Sequence, residues 1–155
     1  DFDTVLISLY WTDVLKPDLV ASYEALGYKI VTSGHRFDLN FLSRQKSFIE
    51  LADYTMSNNL GTHVGYCIHL NKPHYIFQQR VFYDAKDQKT QKHLSDASNQ
   101  DNNLTYEWEL KEICEAFNQY EIDITEKQRE IVEEYWGESY IRTPEELRNL
   151  LRYSK

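Results

Sequence analysis

The amino-acid sequence predicts an α/β fold with a parallel sheet of at least four strands, flanking helices and a helical C-terminal extension. Short β-forming runs alternate with amphipathic segments of about ten to fifteen residues, as in βαβ units, through the first half of the chain. Such alternation is typical of right-handed crossovers between parallel strands. We therefore expect a Rossmann-like core over residues 1–83, a flexible polar loop over 84–103 and helices over 104–155 that pack on the same domain.

The first two strands are predicted from β-forming runs. Residues 4–10 form a near-continuous run, the pattern of a strand covered on both faces. Lys16-Pro17-Asp18 opens a helix and Gly27 ends it, because proline suits the first helical turn and glycine suits the residue after a helix. Residues 28–32 form the second strand.

Two further strands follow the second helix. Asp38 stands where an N-cap is expected, and apolar residues from Phe41 to Ala52 recur at helical spacing. Asn71 is suited to a left-handed helix terminator. The later elements are expected at residues 54–56 (strand), 61–70 (helix), 74–77 (strand), 104–119, 126–136 and 144–153 (helices), the last two opened by capping patterns at Thr125–Gln128 and Thr143–Glu146.

Composition excludes several classes of partner. The net charge is −8, from 25 acidic and 17 basic side chains, which disfavours nucleic acid and anionic membrane surfaces. No apolar run approaches the roughly 20 residues of a membrane span. The two cysteines lack zinc-site spacing and no DxD-like motif ends a strand, so we predict neither a metal nor another cofactor.

Cysteine usage and the N-terminus bear on location. Reduced thiols favour a cytoplasmic protein, with peripheral attachment to the inner membrane through the full-length protein as an open alternative. The sequence begins Asp1-Phe2-Asp3 without an initiator methionine. We therefore expect either a processed chain or an excised domain of a larger protein.

Ligands of open parallel sheets bind at the carboxyl ends of the strands. Four loops would meet there: residues 10–13, 33–36, 57–63 and 77–80. The third loop is richest in polar groups, because Ser57, Asn58, Asn59 and Thr62 offer hydroxyls and amides and Gly61 offers close access to the backbone. The alternative for this loop is a well-capped helix start without a ligand, since caps favour the same residue types.

The other candidates are aromatic or basic. Arg36, beside Gly34 and His35, offers a planar fork for phosphate, or it pairs with Asp38 as a surface ion pair. His63 is a phosphate donor or proton carrier, or a structural histidine. The substrate-binding candidates are completed by two aromatic residues that could stack on a base or sugar or belong to the core, Tyr10 and Trp11.

One resemblance rests on several of these motifs. The passage from Phe41-Leu42-Ser43-Arg44 through Leu51-Ala52-Asp53 and Gly61-Thr62-His63 to Asn71-Lys72-Pro73 resembles the donor-binding C-terminal domain of GT-B glycosyltransferases of bacterial surface-polysaccharide biosynthesis. The resemblance covers about residues 4–80 and implies a nucleotide-sugar donor. Such enzymes place the acceptor site on an N-terminal domain, so the resemblance implies a missing acceptor domain and a donor half that is inactive alone.

The resemblance also implies residue roles. Gly61, Thr62 and His63 would face the donor phosphates, with Ser57 to Asn59 beside them. Gly34 to Arg36 would lie near the nucleotide, and Tyr10 to Thr12 would line a cleft between domains. The family's paired glutamates are absent, since Asn58 and Tyr66 stand at the nearest equivalent positions. No catalytic residue is assigned.

Two alternatives stay open at this point. Gly61-Thr62, Gly65-Tyr66-Cys67 and Asn71-Lys72-Pro73 are also similar to the nucleoside deoxyribosyltransferase signature, but Val64 precedes Gly65 where a nearby glutamate nucleophile is expected. A non-catalytic nucleotide-binding or interaction module is the second alternative, because a phosphate-binding turn indicates binding and does not indicate turnover.

Overall fold

The computed structural model describes residues 2–77 and 104–153. The chain divides into two compact units, Asp1–Asp53 and Tyr54–Lys155. Each unit contains one small parallel sheet. The predicted flexible loop over residues 84–103 lies outside the described residues.

The first unit is a βαβα arrangement. Strand β1 (Leu6–Ser8) pairs in parallel with β2 (Lys29–Val31), with Ile7 opposite Ile30. Helix α1 (Pro17–Ala25) connects the strands, and α2 (Phe41–Leu51) follows β2. Gly27 has a φ of 86°, which explains why a glycine ends this helix.

The second unit contains the remaining elements. Strand β3 (Thr55–Ser57) pairs in parallel with β4 (His74–Ile76), and α3 (His63–His69) connects them. Asn71 has the predicted left-handed conformation, with a φ of 55°. The C-terminal elements are α4 (Leu104–Ala116), α5 (Glu126–Trp136), a 3₁₀ turn (Glu138–Tyr140) and α6 (Pro144–Tyr153).

The prediction of one sheet with at least four strands is wrong. The described strands form two separate two-stranded sheets, and each strand is three residues long. One reason lies at β4 in the second unit. The Ile76 amide donates to the carbonyl of Phe117, just after α4, at 2.8 Å, so this amide is not available to pair with a further strand. Met56 on β3 is 69% exposed, so this sheet is not covered on both faces.

The main hydrophobic core lies in the second unit, among α3, β4, α4 and α5. Its buried members are Val64, Ile68, Ile76, Ile113, Phe117, Ile131 and Val132. Helix α3 lies close to its neighbours because Gly65 has no side chain. A Cβ at Gly65 would lie 2.4 Å from Cδ1 of Trp136, so the indole ring occupies that space.

Hydrogen bonds at one helix start also belong to this core. The predicted capping box of α5 is confirmed: Thr125 Oγ1 accepts from the Gln128 amide, and Gln128 Oε1 accepts from the Thr125 amide. The same Gln128 side chain is 1% exposed and donates from Nε2 to the Ala116 carbonyl at 3.1 Å. One buried amide therefore satisfies groups at both the end of α4 and the start of α5.

Candidate functional site

Aromatic rings gather at the carboxyl ends of β1 and β2 in the first unit. Trp11 and His35 meet edge to face with ring centroids 5.1 Å apart, and His35 lies 5.2 Å from Phe37. Tyr10 adds a fourth ring, 6.1 Å from Trp11. These four residues are called the aromatic surface below, because Tyr10 is 55% exposed and Phe37 is 77% exposed.

Parallel pairing explains why these residues meet. Tyr10 and Trp11 follow β1, His35 and Phe37 follow β2, and parallel strands end at the same edge of a sheet. The Trp11 indole Nε1 is buried without a protein hydrogen-bond partner in the described part of the chain. An unsatisfied buried donor costs about 1–3 kcal/mol, and a ligand acceptor that reached this nitrogen would recover part of that free energy.

His35 presents a donor to solvent. The Phe37 amide donates to His35 Nδ1 at 3.2 Å, so in the neutral ring Nδ1 is the acceptor and Nε2 carries the proton. His35 itself is exposed. Arg36 supplies positive charge at the same place, since its guanidinium carbon lies 4.9 Å from the centroid of the Phe37 ring.

The position of the Arg44 side chain explains why residue 34 is a glycine. Gly34 has a φ of 82°, and a Cβ there would lie 2.8 Å from Nη1 of Arg44. That nitrogen donates to the Ser33 carbonyl and to Asp38 Oδ2, both at 3.1 Å. Arg44, and not Arg36, therefore pairs with the Asp38 carboxylate, and it supports the loop that carries His35.

The predicted N-cap at Asp38 is wrong. Helix α2 begins at Phe41 after Asn40, and the Asp38 carboxylate accepts from the Asn40 amide at 2.8 Å within the preceding turn. This amide hydrogen bond and then the Arg44 guanidinium lower the pKa of Asp38. Asp38 stabilises the loop and does not cap the helix.

In the second unit, His74 lies between two hydroxyl groups of β3. Thr55 Oγ1 lies 2.8 Å from His74 Nδ1, and Ser57 Oγ lies 3.0 Å from His74 Nε2. Thr55 and Ser57 share a face because successive side chains of a strand alternate. His74 is 3% exposed, and burial followed by the charge of His63 lowers its pKa from 6.5 to about 3.

Both hydroxyls that contact His74 also bond backbone carbonyls. Ser57 Oγ donates to the Asn59 carbonyl at 2.7 Å, and Thr55 Oγ1 donates to the Pro73 carbonyl at 3.0 Å. The Pro73 carbonyl also receives the Thr55 amide at 2.9 Å. The His74 ring therefore ties β4 to β3 and to the turn after it through two hydroxyls that are themselves held by the backbone.

His63 occupies the space beside Gly61. A Cβ at Gly61 would lie 2.8 Å from both Cε1 and Nδ1 of His63. The His63 ring also meets His74 edge to face at 5.5 Å, and its Nε2 is buried without a hydrogen-bond partner among the described residues. Burial lowers the pKa of His63.

The turn of residues 57–63 therefore makes many of its contacts within itself. The Ser57 hydroxyl contacts Asn59 and His74, and Asn59 Oδ1 accepts from the Leu60 amide at 2.8 Å. Thr62 is exposed and makes no capping hydrogen bond. The close approach that a phosphate would make to Gly61 is instead made by the His63 ring.

The structure groups the predicted residues by unit. Tyr10, Trp11, His35 and Arg36 lie together in the first unit beside Gly34, and Ser57, Asn59, Gly61 and His63 lie together in the second. Asn58 and Thr62 belong to the same turn. Convergence of four loops was predicted from one continuous sheet, which the described residues lack, and residues 78–80 of the fourth loop lie outside them.

Sequence reasoning missed three residues. Phe37 completes the aromatic surface, and an aromatic residue shortly after a predicted strand end was the available signal. His74 and Thr55 form the buried network. Their signal was weaker, because the pairing of Thr55 with His74 depends on the register of β3 and β4.

Within residues 2–77 and 104–153, no helix is long and apolar enough to cross a membrane. In those same segments, no group of three or more His, Cys, Asp or Glu side chains is arranged to hold a metal ion. Comparisons of the chain with models of protein families, with curated proteins and with solved structures give no match.

Proposed function

We propose that the first unit binds the nucleotide part of a nucleotide-sugar at the aromatic surface, with Arg36 beside the phosphates. The observation that carries this proposal is the contact series from Trp11 through His35 to Phe37, with Arg36 held over the Phe37 ring. It joins exposed rings and a cation at the carboxyl ends of two parallel strands, where α/β proteins bind ligands.

The rings supply the means to hold a base. A base that stacks on an aromatic side chain gains about 1–3 kcal/mol, and Phe37 and Tyr10 expose most of their surface for such contact. These residues are not needed to fill a core, because Ser33 and Ile49 are the only buried residues described in the first unit. Large exposed rings without a role in the core are typical of a binding surface.

The phosphates need local positive charge in a chain with a net charge of −8. Arg36 provides it, and its position over the Phe37 ring favours a guanidinium that is already ordered near the stacked base. The exposed Nε2–H of His35 offers a further donor to a phosphate or ribose oxygen.

The biological role that we propose is that of the donor-binding half of a glycosyltransferase, which transfers the sugar to a glycan or lipid-linked acceptor. This step rests on the family resemblance of residues 4–80. It implies that the acceptor and the attacking group are supplied by another domain, and it assigns the residues of the aromatic surface to binding and not to proton transfer.

Isothermal titration calorimetry with a panel of UDP, GDP, CMP and ADP sugars tests the proposal. We expect one base to bind, and we expect the Phe37→Ala variant to bind it about 5- to 150-fold more weakly, which corresponds to the loss of one stacking contact. Leu39→Ala is the matched control, because Leu39 lies in the same loop, is fully exposed and carries no aromatic ring. Equal loss in both variants would contradict the proposal.

The relative affinities of three ligands distinguish the candidate functions. Binding of the nucleotide-sugar and of the nucleoside diphosphate, with much weaker binding of the free nucleoside, supports a donor site. Equal binding of the free nucleoside would instead support the deoxyribosyltransferase alternative, because phosphate recognition would then be absent. No binding of any member of the panel at millimolar concentration would overturn the proposal and favour an interaction module.

A further inference from the structure

Two histidines lie side by side in the second unit, His74 buried and His63 half-buried. The rings of His63 and His74 have centroids 5.5 Å apart, and His74 also meets the Phe117 ring at 6.2 Å. Both histidines contact the turn of residues 57–63, His74 through Ser57 and His63 through Gly61. The protonation of these two histidines can therefore change the conformation of this turn.

The surroundings of His63 disfavour a charged ring. His74 uses both ring nitrogens in hydrogen bonds to hydroxyls, while the buried Nε2 of His63 has no acceptor in the described chain. A proton added to the His63 ring would create a buried cation whose Nε2–H has no acceptor, beside a second histidine. Buried charge without a partner is strongly unfavourable.

We propose that His63 and His74 form an acid-sensitive latch, which keeps the turn of residues 57–63 closed at neutral pH and releases it in acid. On protonation the His63 ring leaves its place beside Gly61 and gains solvation. His74 then loses a neighbour that excludes water, and its hydrogen bond to Ser57 becomes accessible. The proton comes from solvent and stays on the imidazole, so no other group changes its covalent state.

No described group offsets the added charge. From β3, the side chains that face His74 are the Thr55 and Ser57 hydroxyls, and from the end of α4 it is the apolar Phe117 ring. The titratable groups of α3 on this side are His63 and the Cys67 thiol. Burial raises the pKa of Cys67, and its hydrogen bond with Thr55 only partly opposes this shift. None of these groups is an anion at neutral pH, so acid adds positive charge without compensation.

Amide hydrogen exchange followed by NMR tests the latch. The Val64 amide donates to the Gly61 carbonyl at 3.1 Å and the Leu60 amide donates to Asn59 Oδ1, so both amides report on the closed turn. Because burial lowers the pKa of His63 in the closed turn and opening restores its ordinary value of 6.5, the opening constant should rise as the pH falls below 6.5, by at most about tenfold for each pH unit. Amides of α5 should show no such rise.

Matched substitutions test whether His63 causes the rise of the opening constant in acid. His63→Phe keeps a ring beside Gly61 but cannot take a proton, so the rise should disappear, and His63→Gln serves the same purpose if the first variant does not fold. His69→Phe is the control, because His69 is exposed and pairs with Glu138 at 3.0 Å outside the pair. An opening constant that does not change from pH 7 to 4.5 in the wild type would overturn the latch. Simultaneous opening of α5, or an unchanged rise in the His63 variants, would also overturn it.

Discussion

Gly65→Ala tests the packing of α3 against α5 most severely. The new Cβ would lie 2.4 Å from Cδ1 and 2.5 Å from Cγ of Trp136, so the indole ring must move by about 1 Å to reach ordinary van der Waals contact. Overpacking of this kind costs about 1–3 kcal/mol. Alanine also favours a helix over glycine by about 1 kcal/mol, so we expect a net loss of stability of about 0–2 kcal/mol.

Urea denaturation followed by far-UV circular dichroism measures this loss, and a double-mutant cycle identifies its cause. In a Trp136→Leu background the clash is relieved and the helix preference remains, so Gly65→Ala should become neutral or stabilising. We expect a coupling free energy of at least about 1 kcal/mol between the two positions. A stabilising effect of Gly65→Ala in the wild-type background, or an additive cycle, would refute the packing of Trp136 on Gly65.

Three further predictions concern single groups. The native pKa of His74 is lowered to about 3 while the unfolded value stays near 6.5, so the unfolded state binds more protons. Urea denaturation should therefore show a loss of up to about 4–5 kcal/mol as the pH falls from 6.5 to 3, and His74→Gln should have a shallower pH dependence. Thr125→Ala removes the helix cap and should cost about 1 kcal/mol in the same measurement at neutral pH. Gly27→Ala should cost about 1–2 kcal/mol through its left-handed backbone alone, since no atom lies within 4 Å of the new methyl, and Gly27→Asn should cost less.

Local signals predicted the helices well. Pro17 opens α1, Gly27 and Asn71 adopt left-handed conformations, and the Thr125–Gln128 capping box forms as predicted. Each of these features is decided by residues a few positions apart, through backbone sterics or a single side-chain hydrogen bond. The sequence therefore contains enough information to place them.

The sheet could not be predicted in the same way. Strand partners are chosen by contacts between residues far apart in the chain, and a β-forming run of the type at residues 4–10 does not reveal how many neighbours it will have. Leu6 and Ile7 are half-buried, and the Phe117 carbonyl binds the Ile76 amide. Neither fact is visible in a local pattern.

The two parts of the candidate site differ in how far the sequence could predict them, and the reason is the same. The meeting of Trp11 and His35 follows from parallel pairing of consecutive strands, and it was predicted in outline. The role of Gly61 could not be decided from the sequence, because a glycine that admits a phosphate and a glycine that admits the ring of His63 have the same sequence signature. Side-chain packing distinguishes the two roles, and it requires coordinates.

The indole N–H resonance of Trp11 tests the central proposal most directly, because Trp11 lies within the aromatic surface and the indole ring of Trp136 packs against Gly65 in the second unit. In a two-dimensional proton–nitrogen spectrum, the Trp11→Phe variant assigns this resonance by its loss. Titration with the nucleotide-sugar selected by calorimetry should shift the Trp11 signal in a saturable manner. A saturable shift of Trp136 without a shift of Trp11, or no shift of either signal, would contradict a nucleotide site at the ends of β1 and β2.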